Sequence, residues 1–190
     1  MRTMVDLDKF KKIIDYHDIN ISEHDVLDML RNFKRWPMFY PWGQCSVEII
    51  NNLGTSAVDF HKAHNNNDNA LYLDFDRWYK YYELGYTTII SNVFDLNRDL
   101  RSLSKDLTEA TGIVLNANFY FSKPGQAASF PPHTHKYDVI VKQIYGESPW
   151  SINGEKKKLK PQESVIVPAG HLHSVDSKDD KKLSLTINIE

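Results

Sequence analysis

One cysteine, Cys45, is all that the 190 residues hold, which excludes an internal disulfide framework and favours a reducing compartment. No apolar run approaches the ~20 residues that cross a bilayer, so no membrane is expected as a partner. Met1 is followed by charged residues rather than an apolar segment, so no secretory leader is expected either. Neither charge sign dominates: 23 Lys and Arg face 25 Asp and Glu, for a net charge of -2. Nothing there favours nucleic acid or an anionic surface. A glycine-rich phosphate loop, a Ser/His/Asp order, a CxxC pair and an internal repeat are missing as well. With 41% hydrophobic and 25% charged residues, what remains is a soluble, cytoplasmic, single-domain protein with a chain long enough to bury a core.

Aromatic residues reach 12% and suit either core packing or an aromatic-lined ligand cavity. The first part, residues 1–112, reads as mainly helical support. Phe10, Ile13 and Ile14 form an apolar stripe over Asp6–Tyr16. Ser22 looks like an N-cap for a helix whose buried face is Val26, Leu27, Met29, Leu30 and Phe33. Trp36-Pro37 and Tyr40-Pro41 begin extended chain. A further helix is expected over Ser46–Leu53, ended by Gly54, and a surface loop over His64–Ala70. Asp74–Leu84 reads as a helix ended by Gly85, Tyr86–Ser91 as a short β-branched strand, and Asn97–Thr111 as a helix ended by Gly112.

From Ile113 the texture changes. Ile113–Phe121, Tyr137–Tyr145, Trp150–Ile152, Ser164–Val167 and Leu183–Ile189 are short β-type runs separated by turn residues, the pattern of a sandwich or small barrel. Asn153-Gly154 is a two-residue hairpin signal, and Lys156-Lys157-Lys158 reads as a solvated turn. The expected class is therefore α+β, with packed N-terminal helices preceding a β-barrel that occupies residues 113–190.

Within that barrel, Pro131-Pro132-His133-Thr134-His135 is answered downstream by Pro168-Ala169-Gly170-His171-Leu172-His173. Two histidines at i and i+2 in a β-rich run share a face, and the later turn would present His173 to them. Three protein ligands with open positions are the arrangement of a catalytic metal. His171 shares a face with His173 and reads as rim or surface. His17, His24, His61 and His64 have no ligand spacing among them and take surface or structural roles.

These motifs resemble the two motifs of the cupin superfamily, and more closely its JmjC-like branch of Fe(II)/2-oxoglutarate oxygenases. That branch shows Asn-x-Tyr, a proline-rich approach, His-x-Asp and Gln-x-x-Gly-x-Lys-x-Trp. The chain has Asn118-Phe119-Tyr120, Pro131-Pro132-His133, Gln143-Ile144-Tyr145-Gly146 and Trp150 in that order, with Gly125 ahead of His133-x-His135. Asn188, fifteen residues after His173, falls where such enzymes carry a polar residue near the metal. The resemblance covers roughly Asp95–Glu190. It implies a double-stranded β-helix (cupin or jelly-roll barrel) in which His133, His135 and His173 bind Fe(II), with Zn, Ni or Mn as substitutes in a purified sample. The implied activity is an oxygenase hydroxylating or oxidising a small molecule or a peptidyl side chain with O2. Tyr120, Tyr137, Gln143, Asn118 and Asn188 become candidates for substrate, cosubstrate or ligand-orienting contacts.

Two departures shape the expectation. His135 stands where the family carries Asp, so the site has three neutral imidazoles and its metal is a stronger Lewis acid. Three-histidine cupins, thiol dioxygenases among them, form a class of their own. Asp138 is a substitute carboxylate only if strand alternation is broken, since it falls on the opposite face. Ser148 stands where the family's Lys pairs with 2-oxoglutarate, and a buried carboxylate without a cation is costly. Lys142 falls on the outward or opposite face, which leaves Arg77, Lys80 or Arg101 to supply that charge. A three-histidine enzyme that does not use 2-oxoglutarate, and a non-catalytic metal- or ligand-binding cupin, stand as the alternatives.

Overall fold

The computed structural model describes residues 6–35, 46–57, 59–63, 71–123, 130–175 and 181–189. The expectations for Trp36-Pro37, Tyr40-Pro41, Cys45, His64–Ala70 and Gly125 lie outside the described residues.

Four helices form where polar caps meet apolar stripes. Helix α1 (Leu7–Tyr16) is capped by Asp6, whose side chain accepts from the Lys9 amide, and it buries Phe10 and Ile14. Helix α2 (Glu23–Arg31) starts in a reciprocal capping box between Ser22 and Asp25. Helix α3 (Phe75–Glu83), capped by Asp74, buries Trp78 and Tyr82. Helix α4 (Arg98–Thr111) runs from an Asn97 cap to Gly112, and Leu100, Leu103 and Leu107 form its buried stripe.

The strands, in chain order, are β1 (Lys34–Arg35), β2 (Ser46–Ile50), β3 (Ser56–Ala57), β4 (His61–Ala63), β5 (Leu71–Leu73), β6 (Thr87–Ser91) and β7 (Asn116–Ser122). They continue with β8 (Asp138–Tyr145), β9 (Ser148–Ile152), β10 (Glu155–Leu159), β11 (Ser164–Val167), β12 (His173–Val175) and β13 (Lys182–Ile189). Seven of them form one antiparallel sheet in the order β11-β8-β13-β7-β6-β2-β3. A second sheet, β10-β9-β12, supplies the opposing wall, and β1-β5-β4 is a small satellite. The α+β fold is a cupin-type jelly-roll barrel backed by helices.

Three expectations need correction. Ser46–Ile50 is a strand, not the start of a helix: Val47 and Ile49 are buried while Glu48 between them is exposed. That is a period of two, and pairing with β6 fixes it. Gly54, with φ +75°, closes the hairpin from β2 to β3, in which the Asn51 side chain accepts from the Leu53 and Thr55 amides. Lys156–Lys158 belongs to strand β10, entered through Asn153-Gly154 with both residues at positive φ, as a tight hairpin demands.

The pleat divides the large sheet into two environments. Ile140 and Ile144 of β8, Phe119 and Phe121 of β7, and Leu183, Leu185 and Ile187 of β13 join the helices in one apolar core. On the opposite face, Val139 and Val141 join Val165, Val167 and Leu159 in a second, smaller cluster. That second face looks into the barrel.

Candidate metal centre

His133 and His173 are held to each other by their own backbones. The His133 amide donates to the His173 carbonyl at 3.0 Å, and the His173 amide donates to the His133 carbonyl at 2.9 Å. This is a single antiparallel bridge outside the named strands, and it fixes both side chains without relying on side-chain contacts. The His133–His135 stretch is thus an extended approach to β8 rather than part of that strand. The Pro168–Gly170 turn docks on the same stretch: Gly170 donates its amide to the His135 carbonyl at 2.8 Å. Gly170 has φ +78°, a conformation that costs any side-chain-bearing residue.

The three rings converge. Their centroids lie 4.8 Å (His133–His135), 4.3 Å (His133–His173) and 4.9 Å (His135–His173) apart. One ligand nitrogen from each falls within 4.8 Å of the others. The His133 Nδ1 lies 2.9 Å from the Pro131 carbonyl and the His173 Nδ1 lies 3.0 Å from the His171 carbonyl. A proton on each Nδ1 satisfies those carbonyls and leaves Nε2 as the lone-pair donor, the arrangement that orients metal-binding histidines. Tyr137 stacks on the His135 ring at 5.1 Å and 12°.

Burial lowers the His135 pKa, and the neighbouring His133 and His173 rings add to the effect. Burial also lowers that of His173, partly opposed by its bond to the His171 carbonyl. Both rings therefore stay neutral to lower pH than free imidazole, which is the state a metal requires. A set of three neutral nitrogen donors fits a borderline divalent ion such as Fe(II), Zn(II) or Ni(II) and suits Ca(II) or Mg(II) poorly.

The triad opens into a cavity of about 60 Å³ whose walls include Val139, Val141 and Trp150. Tyr120 also lines it, with its phenol pushed up to about 12 by burial, then by the nearby Tyr137 and Glu48. Asn118 shares the inner face of β7 with Tyr120, and its side-chain carbonyl is buried with no hydrogen-bond partner among the described residues. Asn188 shares the inner face of β13, level with Val139 of β8. Neither lines the cavity itself.

Gln143 sits deeper than a ligand-orienting contact would require. Its Oε1 accepts from Ser148 Oγ at 2.8 Å and Ser184 Oγ at 2.9 Å, and its Nε2 donates to the Tyr145 carbonyl at 2.7 Å. It closes the floor, and only Ser184 of this group reaches the cavity. Asp138 lies outside the cluster of ligand atoms. Its carboxylate accepts the Ala169 amide at 2.8 Å and so braces the turn leading to His173. His171 is half-buried beside the Ala169 carbonyl and does not join the cluster either.

The cationic residues resolve differently from expectation. Arg77 donates to the Asp59 carbonyl and Arg101 to the Asp95 carbonyl, and neither these nor Lys80 line the cavity. Lys142 does lie on the face opposite the cavity but is not outward: it is fully buried beneath α1, donating to the Ile14 carbonyl at 3.0 Å. Among the described residues, the lysine in the cavity wall is Lys182, which is 3% exposed. It was legible in the alternation Lys182, Ser184, Thr186, Asn188 against Leu183, Leu185, Ile187, Ile189, had the final strand been started one residue earlier.

Residues 119–189 match the family described as "Cupin domain", in keeping with the barrel. No curated protein matches the chain. Among solved structures, YcfD, a ribosomal oxygenase from Escherichia coli, is 13% identical with a TM-score of 0.60, over 90% of this chain and 44% of YcfD. KdgF from Halomonas sp. is 22% identical with a TM-score of 0.36, over 40% of this chain and 69% of that one. The DMSP lyase DddQ from Ruegeria pomeroyi DSS-3 is 25% identical with a TM-score of 0.37, over 40% and 38% respectively. The likeness to YcfD is one of fold, and the chain spans less than half of that protein. Among the described residues, no helix is long and apolar enough to cross a membrane.

Proposed function

We propose that the protein is a metal-dependent cupin enzyme, an Fe(II) oxygenase of the JmjC-like kind that oxidises a small molecule with O2. The observation that carries this reading is the convergence of three imidazoles, with no carboxylate among them, at the mouth of an enclosed cavity. His133, His135 and His173 would hold the metal through one nitrogen each. Fe(II) so held supplies redox chemistry and Lewis acidity at positions that protein does not fill. The chain's own residues do the rest. The Pro131 and His171 carbonyls fix two ring orientations, Trp150 and the valine wall exclude water, and Tyr120, kept protonated, can donate a hydrogen bond to a substrate oxygen.

The small cavity favours a small molecule over a peptidyl side chain as substrate. A void of about 150 Å³ is what admits benzene to an engineered protein core, and this one is less than half as large. A three-histidine enzyme that does not use 2-oxoglutarate is the second reading, and a specific observation favours it. Ser148, at the position of the family's 2-oxoglutarate lysine, is committed to Gln143 and buried away from the cavity.

Elemental analysis of protein purified from iron-supplemented cells tests the metal. One equivalent is expected, and it should vanish in His133→Ala and His173→Ala. A protein that carries no metal, or that keeps it in both variants, ends the proposal. Anaerobic addition of 2-oxoglutarate to the Fe(II) form then separates the readings, because a visible charge-transfer band arises only if 2-oxoglutarate chelates the iron. Oxygen consumption above that of His173→Ala distinguishes an enzyme from a non-catalytic cupin.

A further inference from the structure

We infer that Asp138 is a positioning residue of the metal centre: its side chain locks the Pro168–Gly170 turn, so that His173 and His135 hold their places before any metal arrives. The inference rests on the metal-dependent reading for its consequence, metal affinity, while the lock itself belongs to the metal-free protein.

The lock forms where a β-ladder runs out. Strands β8 and β11 pair as far as Val139 with Val167. The residue after Val167 is Pro168, which has no amide to donate, so the ladder ends there and the two chains part. Ala169 supplies the next amide, and it donates to the Asp138 carboxylate at 2.8 Å. A side chain thus carries the contact across the step that the backbone leaves open.

Residues 168–171 make a reverse turn, closed by the His171 amide donating to the Pro168 carbonyl at 3.1 Å. Gly170, at φ +78°, takes the third position, where a type II turn requires positive φ. Turns of types I and II differ by a flip of the middle peptide, here the one joining Ala169 to Gly170. That peptide is held by its own amide, which donates to the His135 carbonyl at 2.8 Å. The peptide before it is held by Asp138. Beyond the turn, His173 bridges to His133 through two backbone bonds, and its ring meets the His171 carbonyl. A flipped turn would therefore release the His135 carbonyl and shift the His173 ring together.

Asp138 acts through this geometry and not through its charge. The ionisable groups that act on the His135 and His173 rings are other members of the triad, and Asp138 is not among them. An uncharged acceptor at 138 should therefore serve as well as a carboxylate. The bond to Ala169 lies at the surface, so its loss costs local order around the turn rather than the stability of the whole barrel.

Co(II) titrations followed by the visible bands of the ion, and amide hydrogen exchange in the metal-free protein, compare the wild type with Asp138→Ala and Asp138→Asn. Asp138→Ala is expected to bind Co(II) on the order of tenfold more weakly, the effect of removing an outer contact of a metal ligand. It should also lose protection at the Gly170 and His173 amides while its denaturation midpoint stays near that of the wild type. Asp138→Asn, which keeps an acceptor oxygen, should restore both affinity and protection. Unchanged affinity in Asp138→Ala, or a loss that Asp138→Asn shares in full, would overturn the inference. If Asp138→Ala does not fold, the wild-type Ala169 amide decides: slow exchange supports the lock, and exchange at the rate of a free peptide overturns it. A wild type that takes up no Co(II) removes the proposed function, and protection at Gly170 and His173 then decides alone whether the lock stands. Co(II) bound equally by all three proteins overturns the inference and leaves the proposed function in place.

Discussion

The two faces of strand β13 differ in almost every physical respect. Leu183, Leu185 and Ile187 are fully buried against the helix-backed core. Lys182, Ser184 and Thr186, interleaved with them, line the cavity. Strands β7 and β8 repeat the division, with Phe119 and Phe121 against Tyr120, and Ile140 and Ile144 against Val139 and Val141. One pleated sheet thus keeps its cohesion on one side and its chemistry on the other. The lesson is that stability and ligand binding are separable here by single substitutions on adjacent residues.

The sharpest break of that comparison is expected at Trp78, on the cohesive side. It is fully buried, donates to Thr88 Oγ1 at 2.9 Å, and stacks with Tyr82 and Phe121. Trp78→Ala should cost about 3–5 kcal/mol in chemical denaturation while the folded fraction still binds one metal. His173→Ala should show the opposite profile, with metal lost and a stability change of less than about 2 kcal/mol in the metal-free protein. If both variants lost stability and metal together, the two faces would be one cooperative unit and the separation would be wrong.

A smaller effect is expected at Gly146→Ala, which joins the two sides. The positive φ and the approach of the Lys181 carbonyl predict a loss of about 1–3 kcal/mol in chemical denaturation. A variant as stable as the wild type would show that the start of β13 can move away from a Cβ at 146.

The smallest effect concerns pH in the metal-free protein. His135 and His173 have folded-state pKa values below that of free imidazole, so as pH falls below about 6.5 the unfolded chain takes up protons before the folded one. Stability should decline from that point down to the folded values and be flat with respect to these groups above it. Denaturation curves at several pH values, compared with those of His135→Gln, check the sign. A wild-type protein that gained stability on acidification through this window would contradict the burial of these rings.

The helices and the histidine motifs were legible because each depends on neighbours in sequence. Asn97, Leu100, Leu103, Leu107 and Gly112 state a capped amphipathic helix within one segment, and His133-x-His135 with Pro168-x-Gly170-x-x-His173 marks by spacing the three histidines that converge. Segment 46–50 was misread because the stretch is too short for its apolar residues to tell one period from another. Only pairing with β6 chose the strand. Lys156–Lys158 looked like a solvated turn for a related reason: an edge strand keeps its charge outside and leaves little apolar signal.

The chain by itself determined the barrel's alternating faces and named the three imidazoles, while a bridge between His133 and His173, distant in sequence, made them converge. Tertiary structure decided which lysine enters the cavity. Lys142 and Lys182 look alike in sequence, one within a β-run and the other next to one. Contact with α1 assigned one to a helix carbonyl, while the approach of β13 to Gly146 turned the other inward. Side-chain direction repeats every second residue, but what waits on each side is set by segments far away in the chain.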